Sequence, residues 1–304
     1  MNPQQRIAQL LLETGAYKDL PEPVILTSGE LGIYYINTEK LTQDQGEWEK
    51  YGNDAAALLA HASRLSREKP LFKEAIDIIA NKAQQYLESV GPIAIAGGQR
   101  RDWLFSGPVA EILQIPHIAL YKDGGMELKQ PGKENTPTNS LNLFSVVHIV
   151  DLITEGSSIY NKKLAQAHGW VPMLRDAGAH ISDLVAVVSR KQGGEQNLAA
   201  QGVLVHPFVT IDEKFLREYS TNPERAAAYF QNPTQWSKSY LAEHGADALV
   251  STFDPNGGKI DRAKKFLTRY QTVLKENDKF EPLRQAVHER YSISLDVLME
   301  GRCN

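Results

Sequence analysis

The sequence predicts an α/β domain: a parallel sheet flanked by helices, with an N-terminal hood and a helical C-terminal extension. Three observations carry this. Short apolar runs bounded by glycine or proline recur between Gly91 and Ile211, segments of helical spacing separate them, and the strand-like runs fade beyond Asp212. Strand-length runs that alternate with helices require crossover connections, and hence a parallel sheet covered on both faces.

The elements follow in order. Ile7 and Leu10 to Leu12 give a first short helix. "PVILTSGELGIYYINTEKL" reads as a hairpin, because "SGELG" is a turn between two apolar, aromatic-bearing segments. From Gln43 to Val90 the spacing is helical, with two helices and a break near Lys69-Pro70. "GPIAIAGG" is then a buried strand, "RRDWLFSGPVAEILQI" a helix and "PHIALYKDG" the next strand. "LFSVVHIV" leads into a Ser-rich loop and a further helix, within which Trp170 and Pro172 start a segment packed on the core. "ISDLVAVVSR" and "GVLVHPFVTI" complete a set of about five parallel strands. Two long helical stretches after Asp212 are separated by Asn-Pro and Asp-Pro-Asn-Gly-Gly turns, and "DRAKKFLTR" reads as a solvated helix face. This places a main domain over 1–211, with its hood over about 1–65 and its core over about 91–211, and the extension over 212–304.

Composition narrows the function. A formal charge of −4 and a pI near 6.1 lack the basic excess that broad nucleic-acid binding needs. Cys303 is the only cysteine, so no internal disulfide or cysteine-rich metal site can form. The eight histidines show no pairing at metal-ligand spacing, and no residue is assigned as a metal ligand. The N-terminal segment lacks the basic-then-apolar layout of a secretory leader, and no apolar run approaches membrane-spanning length. The expectation is a cytoplasmic protein with small-molecule partners, neither nucleic acid nor membrane.

The chemistry concentrates at strand ends, where open parallel sheets bind ligands. In "VVHIVDLITEGSS", Asp151 ends a strand and can accept hydrogen bonds from sugar hydroxyls. Gly156 allows close backbone approach, Ser157 and Ser158 offer hydroxyls, and the amides of a following helix would favour an anion. A plain helix cap is the alternative reading of the same residues. This layout resembles the phosphoribosyl-pyrophosphate motif of the type I phosphoribosyltransferases, which has four apolar residues, two acids, two apolar residues, Thr-Thr-Gly and a small hydroxyl residue. Val150 stands at the first acid and Asp151 at the second; Leu152, Ile153, Thr154, Gly156 and Ser158 match, and Glu155 replaces the second threonine.

Three further stretches resemble the orotate phosphoribosyltransferase family. In "TSGELGIYYIN", Ser28 and Gly29 match its turn, and Tyr34, Tyr35 and Ile36 its apolar floor under the pyrimidine; a hairpin with core tyrosines is the other reading. In "VAVVSRKQGGEQ", Arg190 falls on the arginine that binds the orotate carboxylate, a role that suits paired guanidinium donors; a solvent-exposed turn is the alternative. In "IAGGQRRDW" and "LYKDG", Gly97, Gly98 and Gln99 match the pyrophosphate loop and Lys122 its basic residue. Arg100 and Arg101 add positive charge at a helix start, where it opposes the dipole unless an anion lies in front.

The resemblance runs from Ile25 to Ile211. It implies transfer of a phosphoribosyl group from phosphoribosyl pyrophosphate (PRPP) to orotate, giving orotidine monophosphate in pyrimidine synthesis. Asp151 would hold the ribose, Thr154 to Ser158 the terminal phosphate, and Lys122 with Gly97 to Arg101 the pyrophosphate. Arg190 and Thr154 would fix the base, magnesium would ride on the substrate's oxygens, and the enzyme would be a homodimer. A Gly- and Pro-rich lid, "KDGGMELKQPGKENTPTNSLN", would supply Lys129 or Lys133, with Lys129 taken as catalytic. The departures at Val150 and Glu155 keep two other readings open: transfer to another base, or a non-catalytic nucleotide-binding regulatory protein.

Overall fold

A computed structural model describes residues 2–26, 28–87, 91–161 and 168–300. Helix α1 (Pro3–Glu13) starts at a capping box, in which Asn2 accepts from the Gln5 amide at 2.8 Å and Gln5 Oε1 from the Asn2 amide at 3.3 Å. Strands β1 (Tyr17–Ile25) and β2 (Leu31–Ile36) pair as the expected hairpin. The segment up to residue 54 departs from the helix expected there. From Gln43 on it forms one short 3₁₀ turn, Glu47–Tyr51, because Gly46 (φ 87°) and Gly52 (φ 55°) take positive-φ conformations that interrupt an α-helix; another 3₁₀ turn, Thr38–Thr42, precedes it and ends at Gln43 (φ 55°). Helices α2 (Ala55–Glu68) and α3 (Pro70–Gln84) follow, separated at Lys69-Pro70.

Next come β3 (Ile93–Gly98), α4 (Arg101–Leu113), β4 (His117–Leu120), β5 (Met126–Lys129), β6 (Asn135–Pro137) and β7 (Ser145–Ile153). Then α5 (Trp170–Asp176), β8 (His180–Ser189), α6 (Gly194–Ala199) and β9 (Leu204–Thr210) complete the sheet region. The sheet has seven strands in the order β6-β5-β4-β3-β7-β8-β9. Strands β4, β3, β7, β8 and β9 are mutually parallel, and these are the five apolar runs read from the sequence. Strands β5 and β6 add an antiparallel edge made from the expected lid segment. Numbered among themselves, the parallel strands run 2-1-3-4-5, so the order reverses between β3 and β7. A crevice opens at such a reversal, beyond the strands' carboxyl ends.

The chain divides into two compact units, Met1–Tyr17 with Ile36–Ile211, and Lys18–Tyr35 with Asp212–Asn304. The sheet unit is held by a core that includes Ala96, Ile118, Val146, Val150, Trp170, Leu184 and Ala186. The second unit contains α7 (Glu213–Tyr219), α8 (Pro223–Gln231), α9 (Pro233–His244), α10 (Ile260–Glu276), α11 (Phe280–Tyr291) and α12 (Leu295–Glu300). The units meet at Ile211 and Asp212, and the second also takes in Lys18–Tyr35, most of the hairpin. Ile25 and Leu31 share one buried core with Leu241, Phe253, Phe266 and Tyr270, which gives the hairpin's apolar side its cover. Among the described residues no helix is long and apolar enough to cross a membrane.

Candidate active site

At the reversal between β3 and β7 lies a cavity of about 510 Å³. Gln99, Arg100, Arg101 and Asp102 line it from the turn after β3, Lys122 from the end of β4, and Val150 to Leu152, Thr154 and Gly156 to Ser158 from β7 and its loop. Glu39, Trp48, Glu49 and Asn53 come from the 3₁₀ segment, and Trp170 from the start of α5. The volume suits a small phosphorylated metabolite.

The turn after β3 is tightly braced. The Gly98 amide donates to Asp102 Oδ2 at 3.1 Å, the Gln99 amide to the Leu120 carbonyl at 2.9 Å, and the Lys122 amide to Gln99 Oε1 at 2.8 Å. The Gln99–Arg100 peptide is cis. Glycine is required at 98, since a Cβ there would fall 2.3 Å from the Trp170 indole. Arg100 donates to the Gly52 carbonyl at 3.0 Å, and its guanidinium lies 4.8 Å from the Trp48 ring centroid. Arg101 Nε stands 3.5 Å from Asp151 Oδ2. The positive charge at the start of α4 is thus met partly by protein groups.

β7 runs on to Ile153, so Asp151 sits two residues before its end, and it is buried. Its Oδ2 accepts from Thr38 Oγ1 at 2.6 Å, and its amide donates to Asp102 Oδ1 at 3.0 Å. Burial and the neighbouring Asp102 carboxylate push the Asp151 carboxyl up to about 7, against the opposing pull of Arg101 and Thr38. Val150 is packed in the apolar core, yet a second carboxylate still stands beside Asp151, supplied by α4 rather than by the strand.

The loop after β7 contrasts with the braced turn. Among the described residues, the backbone amides of Glu155, Gly156, Ser157 and Ser158 find no acceptor. Gly156 has φ 75°, and a Cβ on it would come within 3.2 Å of Gly194 Cα. Gly194 closes against the loop from behind, its own amide donating to the Thr154 carbonyl at 3.1 Å. Glu155 is exposed and is not among the cavity's lining residues, so its carboxylate turns outward instead of pairing with Arg100 or Arg101. Among the described residues no helix directly follows this loop. Ser157–Ile159 make a turn, Asn161 forms a bridge to His168, and 162–167 lie outside the described residues. An anion here would be held by loop amides and hydroxyls, with Gly194, the first residue of α6, packed behind them.

The remaining predicted residues are placed elsewhere. Arg190 follows β8, with its amide donating to the Ile153 carbonyl at 2.9 Å, and it is not among the lining residues. Lys129, on β5, lines another cavity with Lys133, Gly107 and His117, so it is not brought to Asp151 within the described residues. Within the helical unit, Gly29 packs against the backbone of Lys265 and Phe266, and Tyr34 is buried edge-on to Tyr229 with centroids 6.5 Å apart. Tyr35 is partly exposed, and Ser28 is exposed in the hairpin turn. Ile36 ends β2.

Sequence reasoning missed Asp102, Thr38, Trp48, Glu39, Glu49, Asn53 and the lining role of Trp170. Asp102 carried one usable signal, an acid in the first turn of a helix that two arginines open.

No family model matches the chain. It is similar in sequence to two curated proteins named orotate phosphoribosyltransferase. With that of Methanoculleus marisnigri it shares 25% identity over 208 residues, which is 68% of this chain and 95% of the relative. With that of Methanocorpusculum labreanum it shares 36% over 85 residues, 28% of this chain and 46% of the relative. Among solved structures, orotate phosphoribosyltransferase from Aeropyrum pernix matches at 21% identity and TM-score 0.44, covering 70% of this chain and 98% of its own. The Mycobacterium tuberculosis enzyme of that name, solved with PRPP, matches at 14% identity and TM-score 0.41, covering 69% and 97%.

Proposed function

We propose that the chain is an orotate phosphoribosyltransferase-like enzyme of pyrimidine synthesis, acting on PRPP and orotate. The observation that carries this reading is the run of amides from Glu155 to Ser158 that have no acceptor among the described residues, set around Gly156 beside Asp151 and the braced Gly98–Arg101 turn. A 5-phosphate in that loop would satisfy the amides. The ribose would then lie over Asp151, and the pyrophosphate against Gln99, Arg100, Arg101 and Lys122.

In the reaction, the bond from C1 of the ribose to the pyrophosphate oxygen breaks and a bond from C1 to the base nitrogen forms. The electron pair of the broken bond leaves with pyrophosphate, and the base nitrogen gives up its proton to a pyrophosphate oxygen or to solvent. Arg100, Arg101 and Lys122 stabilise the charge gathering there, and the Asp151 carboxylate, when ionised, opposes the positive charge developing on the sugar. Among the described residues no group of three or more His, Cys, Asp or Glu side chains could hold a metal. Magnesium would arrive on the pyrophosphate of the substrate, and Glu39 and Glu49, which line the cavity, are the carboxylates that would face it. Bound so, the ion would neutralise the leaving group. Arg190 remains the proposed partner of the orotate carboxylate, and the resemblance implies a homodimer, which light scattering reads directly.

A second reading, PRPP binding without turnover, draws on one observation: Lys129 lines a different cavity from Asp151. Calorimetry with PRPP and magnesium, followed by an orotate turnover assay, separates the readings. Binding with turnover supports the first, binding alone the second, and turnover only with another base redirects the acceptor.

A further inference from the structure

Asp102 sits in the first turn of α4, where an acid is favoured by the helix dipole. A carboxylate serving that end alone would accept from amides of its own turn. Asp102 does something else. One oxygen accepts from the Gly98 amide at 3.1 Å, at the end of β3, and the other from the Asp151 amide at 3.0 Å, near the end of β7. The two strands are neighbours in the sheet, and these are the ends from which they enter the cavity.

The surroundings make this an expensive arrangement. Asp102 is 7% exposed, Asp151 is buried alongside it, and the fully buried His148 Nε2 stands 3.7 Å from Asp102 Oδ2, beyond hydrogen-bond range. A second carboxylate beside Asp151 opposes the ionisation of Asp151, and an apolar side chain would be the cheaper way to fill the space. The carboxylate's particular property is two acceptors on one rigid plane. That plane fixes the distance between the Gly98 turn and the Asp151 backbone.

We propose that Asp102 is a positioning residue that couples the turn after β3 to the end of β7, so that pyrophosphate and ribose are held in one register. This rests on the PRPP reading above. Ribose 5-phosphate needs only the β7 side and pyrophosphate only the β3 side, whereas PRPP must span both. In Asp102→Asn the amide nitrogen can no longer accept, so one of the two links is lost while size is kept. Calorimetric titration should show ribose 5-phosphate and magnesium pyrophosphate each within about two-fold of wild type, and magnesium PRPP weakened about ten-fold, the effect of one charge-assisted bond. Equal weakening of all three would mark a merely structural role and overturn the proposal, as would unchanged PRPP affinity. If Asp102→Asn does not fold, Asp102→Glu displaces the same carboxylate by one methylene and carries the same three-ligand comparison. If the wild type binds none of the three, the PRPP reading fails on its own. The coupling is then read from amide exchange: faster exchange at both Gly98 and Asp151 in the variant supports it, and unchanged protection at either refutes it.

Discussion

The two turns that flank the strand-order reversal are built on opposite plans. After β3, amides and cations are occupied by the protein itself: Gly98 by Asp102, Gln99 by Leu120, Arg100 by Gly52 and Trp48, and Arg101 by Asp151. After β7, four consecutive amides have no acceptor among the described residues. Unsatisfied donors cost free energy when dry and are retained where a ligand or water completes them. The first turn is therefore a braced wall, and the second a cup whose amides are open to solvent or an anion. Backbone donors do not depend on side-chain identity, so the loop geometry around Gly156 tolerates the departures at Val150 and Glu155.

The sharpest way to break this contrast is to spoil the cup. Gly156→Val forces a β-branched residue into a left-handed conformation with its Cβ against Gly194. PRPP affinity should fall by about a hundred-fold, from strain of about 1–3 kcal/mol together with lost amide geometry. A variant that binds PRPP as tightly as wild type would show that the loop does not hold the phosphate.

A smaller effect tests how the wall couples to the cup. The Asp151 carboxyl is raised above its ordinary value, to about 7, so folding favours its protonated form. The stability from this group is complete below the ordinary aspartate value and is lost as pH rises through about 7. Between pH 5 and 8 the melting temperature of Asp151→Asn should therefore gain on that of wild type as pH rises. A constant difference across that range would deny the shared burial with Asp102. The smallest expected change comes from Glu155→Gln. With its carboxylate turned outward, neutralising it should tighten PRPP binding by no more than about two-fold at physiological salt. A much larger gain would place that charge inside the cup.

The legible parts of the molecule were those set by local pattern. The five parallel strands are apolar runs that glycine or proline punctuates, so their period and length identify them without reference to the rest of the chain. The cup was readable because Gly156 and its neighbouring hydroxyls sit directly after Asp151. What escaped was set by distant packing. Strands β5 and β6 are only four and three residues long and carry lysine, asparagine and proline, so they read as an irregular lid. The hairpin's cover, Leu241 to Tyr270, is some two hundred residues away along the chain, and nothing in "ILTSGELGIYYI" indicates it. Asp102 joins Gly98 to Asp151, a link visible only once the two strands are side by side.

The central claim is that the free amides of the β7 loop receive the sugar's phosphate. Backbone amide resonances followed during titration with ribose 5-phosphate test it directly. The account predicts large, saturable shifts at Glu155 to Ser158 and small ones at Gly98 and Gln99, whose amides are already engaged. Saturable shifts centred on the β3 turn, with the β7 loop unmoved, would contradict it.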